Sequence, residues 1–102
     1  MSAKKTIAEY EAALMSAEFG SGPSLDLHGF SAPAALHELD FFIHQAIYQK
    51  APSVTIIHGR GTGALKLAIH AWLRAHPNLV PYFREALDAR QGGVTFAVVG
   101  DE

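Results

Sequence analysis

The sequence predicts one α/β domain: about four strands in a single sheet, two long helices over one face of it, and a helical leader in front. Three observations predict it. Two short apolar runs, in "LDLHG" and "SVTIIHG", each stop at His-Gly. Each leads into a segment with apolar residues at helical spacing, closed by a proline. The chain then finishes on "GVTFAVVG", a β-branched run bounded by glycines. With 102 residues, 49% of them hydrophobic and 18% charged, the chain can build one hydrophobic core but not two.

Taken in order, residues 1–19 carry apolar side chains at Ile7, Tyr10, Ala13 and Leu14, a helical spacing. "GSGP" breaks that helix, so residues 1–23 read as a leader that packs on the domain or on a partner. In "SLDLHG", Leu25 and Leu27 face one way while Asp26 and His28 face the other, which makes a strand with one polar face. "FSAPAALHELDFFIHQAIYQKAP" is the first long helix. Ser31 is placed to cap it, Pro33 is tolerated in its first turn, and Leu36, Leu39, Ile43 and Ala46 or Ile47 form its buried stripe. Pro52 ends it. "SVTIIHG" reads as a central strand covered on at least one face. A glycine loop then delivers the chain into "ALKLAIHAWLRAHP", whose stripe runs through Leu65, Ala68, Ile69, Trp72 and Leu73 and which Pro77 closes. "LVPYFREAL" fits a short strand into a turn almost as well as a helical turn. Since both long helices fall on one face, the other face is expected to lie partly open, with room for a large ligand.

Composition narrows the function classes. The chain has no cysteine, so it has neither a disulfide framework nor a thiolate metal site. No stretch approaches the ~20 apolar residues of a membrane span, and a soluble, cytoplasmic protein without a membrane partner is expected. The net charge of -2, with only eight Lys and Arg, does not suit a protein that coats nucleic acid with a basic patch. Any such affinity has to come from local placement, from backbone amides or from a partner.

Local placement is where the sequence is informative. A right-handed βαβ crossover brings the carboxyl ends of its two parallel strands to one edge of the sheet, where ligands of open α/β sheets gather. The two His-Gly ends therefore face one site. Gly59, Gly61 and Gly63 lie between a strand and a helix N-terminus, a setting that attracts an anion such as phosphate, with Arg60 and Lys66 beside them. The pattern is neither a Walker A loop nor the dinucleotide fingerprint, because Lys66 stands where the third glycine of the latter belongs. Asp26 and His28 point into the same volume, where a carboxylate can orient an imidazole for acid/base work or the two can ligate a metal. His58 is open to three readings: a phosphate ligand, a catalytic acid, or a ring that holds the glycine loop. Arg60 is expected to touch phosphate. His37, Asp40 and His44 share one helix face at metal-like spacing, but that face lies opposite the apolar stripe and reads as solvated. Trp72 reads as core, and His70 and His76 receive no role.

At these residues the sequence resembles the Smr (small MutS-related) domain family. The matching pieces are "LDLHG", "IIHGRGTGALK", and "HP" at His76 and Pro77, followed by "VPYFREA" and a final β-rich run. The resemblance implies a two-layer α/β sandwich of βαβαββ order, with a mixed four-stranded sheet, over residues 24–102. It implies endonuclease activity on RNA, or nicking of DNA, linked to the Asp-x-His and His-Gly-x-Gly motifs, and for some members an association with the ribosome. Carried onto this chain, the motifs point to Asp26, His28, His58, Gly59, Arg60, Gly61 and Gly63; with the reading of the loop above, Asp26, His28 and His58 are the catalytic candidates, and Gly59, Arg60, Gly61, Thr62, Gly63 and Lys66 the phosphate-binding segment. One departure is "DARQGGVTFAVV", which keeps Gly93 and Thr95 but has Arg90, Gln91 and Gly92 where the family usually has glycines; that loop is expected to border the site.

Two mechanisms follow. On RNA, His28 oriented by Asp26 can take the 2′-hydroxyl proton without a metal, with His58 or Arg60 stabilising the phosphate. On branched or nicked DNA, Mg2+ or Mn2+ on Asp26 and His28 would activate water. The alternative is a noncatalytic module that uses the same loop to bind nucleic acid or a ribosome. A small-molecule phosphate enzyme is a weaker third reading, since no cofactor fingerprint is present.

Overall fold

A capping box starts the first helix: the Thr6 hydroxyl accepts from the Glu9 N–H, and the Glu9 carboxylate accepts from the Thr6 N–H. The computed structural model describes residues 5–100, so the part of the predicted leader before Lys5 lies outside the described residues. Seven elements follow in order: α1 (Ile7–Glu18), β1 (Ser24–Asp26), α2 (Ala32–Tyr48), β2 (Ser53–Ile57), α3 (Ala64–Ala75), β3 (Tyr82–Glu85) and β4 (Val94–Val98). Within the ambiguous "LVPYFREAL", Tyr82–Glu85 form a strand. Ser31 caps α2 through its hydroxyl, with Pro33 in the first turn as the sequence requires.

The strands lie in the order β1-β2-β4-β3. β1 runs parallel to β2, while β4 is antiparallel to both β2 and β3, so the sheet is mixed. Helices α2 and α3 pack on one face through Leu39, Ile43, Ile69 and Leu73 against Leu27, Val54 and Ile56, all fully buried. The resemblance implied this arrangement, and the structure has it.

The face expected to be open is covered. α1 turns Tyr10, Leu14 and Ala17 onto Val94, Phe96 and Val98 of β4. The cause is legible in the period-two pattern: Val94, Phe96 and Val98 point away from α2 and α3, and three large apolar side chains on that face need a cover. Ile7, one of the apolar positions read into the leader, is instead exposed. Polar contacts fix α1 in place. The hydroxyls of Ser16 and Ser53 lie 2.9 Å apart, and Thr55 donates to the Ala17 carbonyl. Arg84 grips both Glu11 oxygens at 2.7 Å, Tyr82 donates to the same carboxylate, and Tyr10 stacks on Tyr82. The Arg84 fork holds the Glu11 carboxyl down to about 2. A large ligand therefore has the ends of the strands available to it, not that sheet face.

Candidate functional site

The β1–β2 register pairs Asp26 with Ile57, and the Leu27 N–H donates to the Ile57 carbonyl at 2.7 Å. The chains part only after that bond, so His28-Gly29 and His58-Gly59 emerge side by side. A Cβ on Gly59 would stand 3.3 Å from the His28 Cβ, and Gly59 has φ of +77°. Glycine is required there twice, by the left-handed backbone and by the approach of the neighbouring end. The two His-Gly ends do lie side by side.

Asp26 Oδ1 accepts from the His28 backbone N–H at 3.1 Å and lies 2.6 Å from His28 Nδ1. A carboxylate only accepts, so Nδ1 carries the hydrogen, and in the neutral ring Nε2 is the nitrogen that keeps its lone pair. These bonds, that to the ring first, hold the Asp26 carboxyl below the usual range. Both side chains are exposed, at 50% and 71%. Neither side chain lines the glycine-loop cavity, whose lining starts at the next residue, Gly29.

His58 is different. It is 3% exposed, with Nδ1 3.1 Å from the Gly59 carbonyl and Nε2 2.9 Å from Thr95 Oγ1. Thr95 Oγ1 also lies 2.7 Å from His70 Nε2. One proton order satisfies every group. The Gly59 carbonyl can only accept, so His58 carries its hydrogen on Nδ1 and its Nε2 accepts from the Thr95 hydroxyl. That hydroxyl, having spent its one hydrogen, accepts from His70 Nε2–H. Burial holds the His58 and His70 rings below the usual histidine range, His58 against the pull of the Gly59 carbonyl. Of the three readings of His58, the hydrogen bonds match the ring that holds the loop. His70 and Thr95, given no role from sequence, complete the chain. The one available signal was a threonine inside an otherwise apolar central strand.

The glycine loop floors a cavity of about 310 Å3 lined by Gly29, Phe30, His58, Gly59–Lys66 and Ala32. Gly93 anchors the loop, its carbonyl accepting from the N–H groups of both His58 and Gly59 at 3.0 Å. Gly63, at φ +87°, is the N-cap of α3 and offers no side chain to its first turn, although Thr62 Oγ1 accepts from the Ala64 N–H. The first-turn amides and the positive end of the dipole are left to favour an anion. Arg60 has more to do than sequence suggested: Nε donates to the Gln91 carbonyl at 3.1 Å and Nη2 to the Ala89 carbonyl at 2.6 Å. The β3–β4 loop thus reaches the glycine loop by holding Arg60, though none of its residues lines the cavity. Those partners are neutral, so the guanidinium keeps its charge. Lys66 pairs with Glu85 at 3.3 Å.

His37, Asp40 and His44 stay on the exposed face of α2, where His44 Nδ1 lies 2.8 Å from the Asp40 carbonyl and 3.1 Å from its carboxylate. Among the described residues no three His, Asp or Glu side chains converge as a metal site. Trp72 packs against the core and stacks on His76 at 3.9 Å.

Two parallel strands ending at one sheet edge, with a glycine loop between the second of them and a helix, define an α/β domain whose cavity lies at that edge. The chain belongs to the Smr domain family, which matches residues 25–99. It is 38% identical over 77 residues to endonuclease MutS2 of Thermomicrobium roseum, a match covering 76% of this chain and 10% of that protein. With MutS2 of Enterococcus faecalis the identity is 42% over 78 residues, again 76% of this chain and 10% of the relative. The chain thus spans about a tenth of the curated relatives it matches. The crystal structure of the Smr domain of Thermus thermophilus MutS2 superposes with a TM-score of 0.69 at 33% identity, over 76% of this chain and 96% of that one. YdaL, a stand-alone small MutS-related protein from Escherichia coli, shares the fold with a TM-score of 0.74 at 22% identity, over 89% and 76%.

Proposed function

We propose that the protein is a nucleic-acid endonuclease in which Asp26 and His28 are the catalytic pair and the glycine loop holds a backbone phosphate. The observation that carries this reading is the 2.6 Å contact between Asp26 Oδ1 and His28 Nδ1, one residue before the cavity lining begins at Gly29. The names of the MutS2 relatives support it.

On RNA, Nε2 of His28 accepts the 2′-hydroxyl proton as the 2′-oxygen attacks phosphorus. The bond to the 5′-oxygen breaks, that oxygen takes a proton from water at the open rim, and a 2′,3′-cyclic phosphate is left. Asp26 stabilises the imidazolium that forms. Arg60 and the first-turn amides of α3 meet the charge developing on the phosphate oxygens. His58 holds the loop in place and exchanges no proton with the substrate. On DNA, Asp26 and His28 would hold a Mg2+ or Mn2+ ion that supplies an activated water. The donors for such an ion are few, since Asp26 Oδ1 is already bonded to His28 and no three His, Asp or Glu side chains converge among the described residues; the ion would have to complete its shell from phosphate and water.

A second reading is a noncatalytic nucleic-acid or ribosome-binding module. The observation favouring it is that Lys66 and Arg60 are both engaged within the protein. End-labelled RNA and supercoiled plasmid, each incubated with EDTA, Mg2+ or Mn2+, separate the two. Cutting in EDTA assigns the metal-free route, cutting only with metal assigns the other, and binding without cutting assigns the module.

A further inference from the structure

Phe30 follows the first His-Gly end and precedes Ser31, the cap of α2, in a turn closed by its N–H on the Leu27 carbonyl at 3.1 Å. It is 43% exposed. Single exposed apolar residues are ordinary on a protein surface. Position distinguishes this one. Among the described residues, the other large exposed apolar side chains lie on or beside α1, on the outer side of α2, on α3 and after β3, whereas Phe30 lines the cavity floored by the glycine loop. None of the described aromatic pairs includes its ring.

Charge supplies the second line. Proteins that track duplex nucleic acid neutralise several phosphates with Lys and Arg, and this chain has eight of those residues in all, with a net charge of -2. Lys66, Arg84 and Arg90 are already paired with carboxylates. A site that meets one phosphate on a glycine loop has to gain the rest of its affinity from something other than charge, and base–aromatic stacking does that. The cavity of about 310 Å3 is at the small end for ligand sites, room for one nucleotide and not for the side of a duplex.

Resting on the nucleic-acid reading above, we propose that Phe30 is a stacking platform for an unpaired base beside the phosphate on the glycine loop. The site then takes single-stranded or locally melted nucleic acid in preference to continuous duplex, where both faces of every base are already covered by its neighbours. The ring acts through its face alone, so tyrosine can replace it and leucine cannot.

The test is fluorescence anisotropy with a labelled ten-nucleotide strand and its blunt duplex, for wild type, Phe30→Leu and Phe30→Tyr, across a series of salt concentrations. Phe30→Leu is expected to weaken single-strand binding by about 5- to 150-fold, the worth of one base–aromatic stack. The salt dependence should be unchanged, since no phosphate contact is lost, and Phe30→Tyr should bind as wild type does. Circular dichroism melts confirm that each variant is folded. Equal affinity of wild type and Phe30→Leu overturns the proposal and leaves the nucleic-acid reading standing, as does wild-type binding to duplex as tight as to single strand. Failure of wild type to bind either form overturns the nucleic-acid reading, and this proposal with it.

Discussion

Thr95→Val tests whether the buried hydrogen-bond chain holds the glycine loop. Valine has nearly the shape of threonine, so it fills the same fully buried space and opens no cavity. The hydroxyl's donor goes, leaving His58 Nε2 as an unpaired acceptor on a ring that is 3% exposed. Stranding one such buried acceptor costs about 1–3 kcal/mol. His70 is only half-buried, and water can replace its lost partner. The expected destabilisation is about 2 kcal/mol, a fall in melting temperature of about 8–16 °C for a domain of this size. Thr95→Ser keeps the hydroxyl and loses one methyl, which costs about 1 kcal/mol. Thermal melts should therefore rank wild type above serine and serine above valine. Nitrogen-15 NMR should find the hydrogen on Nδ1 of His58 and on Nε2 of His70 in the wild type. A valine variant as stable as wild type, or the opposite tautomers, would refute the chain.

Other outcomes follow from the same contacts. His58 and His70 are held neutral by burial, so the folded state binds fewer protons than the unfolded one below the ordinary histidine pKa. Their contribution is complete above about pH 6.5 and is lost as pH falls through their lowered folded values. Unfolding in urea as a function of pH should show stability declining below about 6.5 in the wild type, and less steeply in His70→Gln, whose amide supplies the same donor without titrating. Glu11, held at about 2 by Arg84, adds a second decline at more acid pH that Glu11→Gln should remove. Gly59→Ala should cost about 1–2 kcal/mol for the left-handed backbone alone. It should also shift the His28 NMR resonances, because the new methyl meets the His28 Cβ at 3.3 Å; unshifted resonances would show that the two strand ends are not in contact.

Most of the fold was legible because the two periodicities are clean: the Leu39, Ile43, Ala46 stripe of α2 and the alternation of "LDLH" leave little choice. The covering of the second sheet face was not, because a leader with apolar residues at helical spacing looks the same whether it docks on its own domain or on another. What decides it is distant in sequence, the Phe96 and Val98 face and the Arg84 to Glu11 fork. The site was legible to the extent that it is local. Asp26 and His28 are only two residues apart, although the strand ends at Asp26 and His28 lies in the turn after it, where the carboxylate's bond to the His28 N–H, not strand alternation, brings the pair together. Arg60, by contrast, ends on carbonyls about thirty residues away, and His58 on a threonine 37 residues away, distances that no spacing rule reaches.

The central claim, that Asp26 orients His28 as the base, is tested most directly by single-turnover cleavage of one labelled substrate by wild type, Asp26→Asn and His28→Ala. Both residues are exposed, so the variants should melt with the wild type, which separates chemistry from folding. Loss of general-base catalysis should slow cutting by about 10²–10⁴-fold in His28→Ala, and Asp26→Asn should be slowed through the same step. Cutting at the wild-type rate by folded His28→Ala would contradict the assignment.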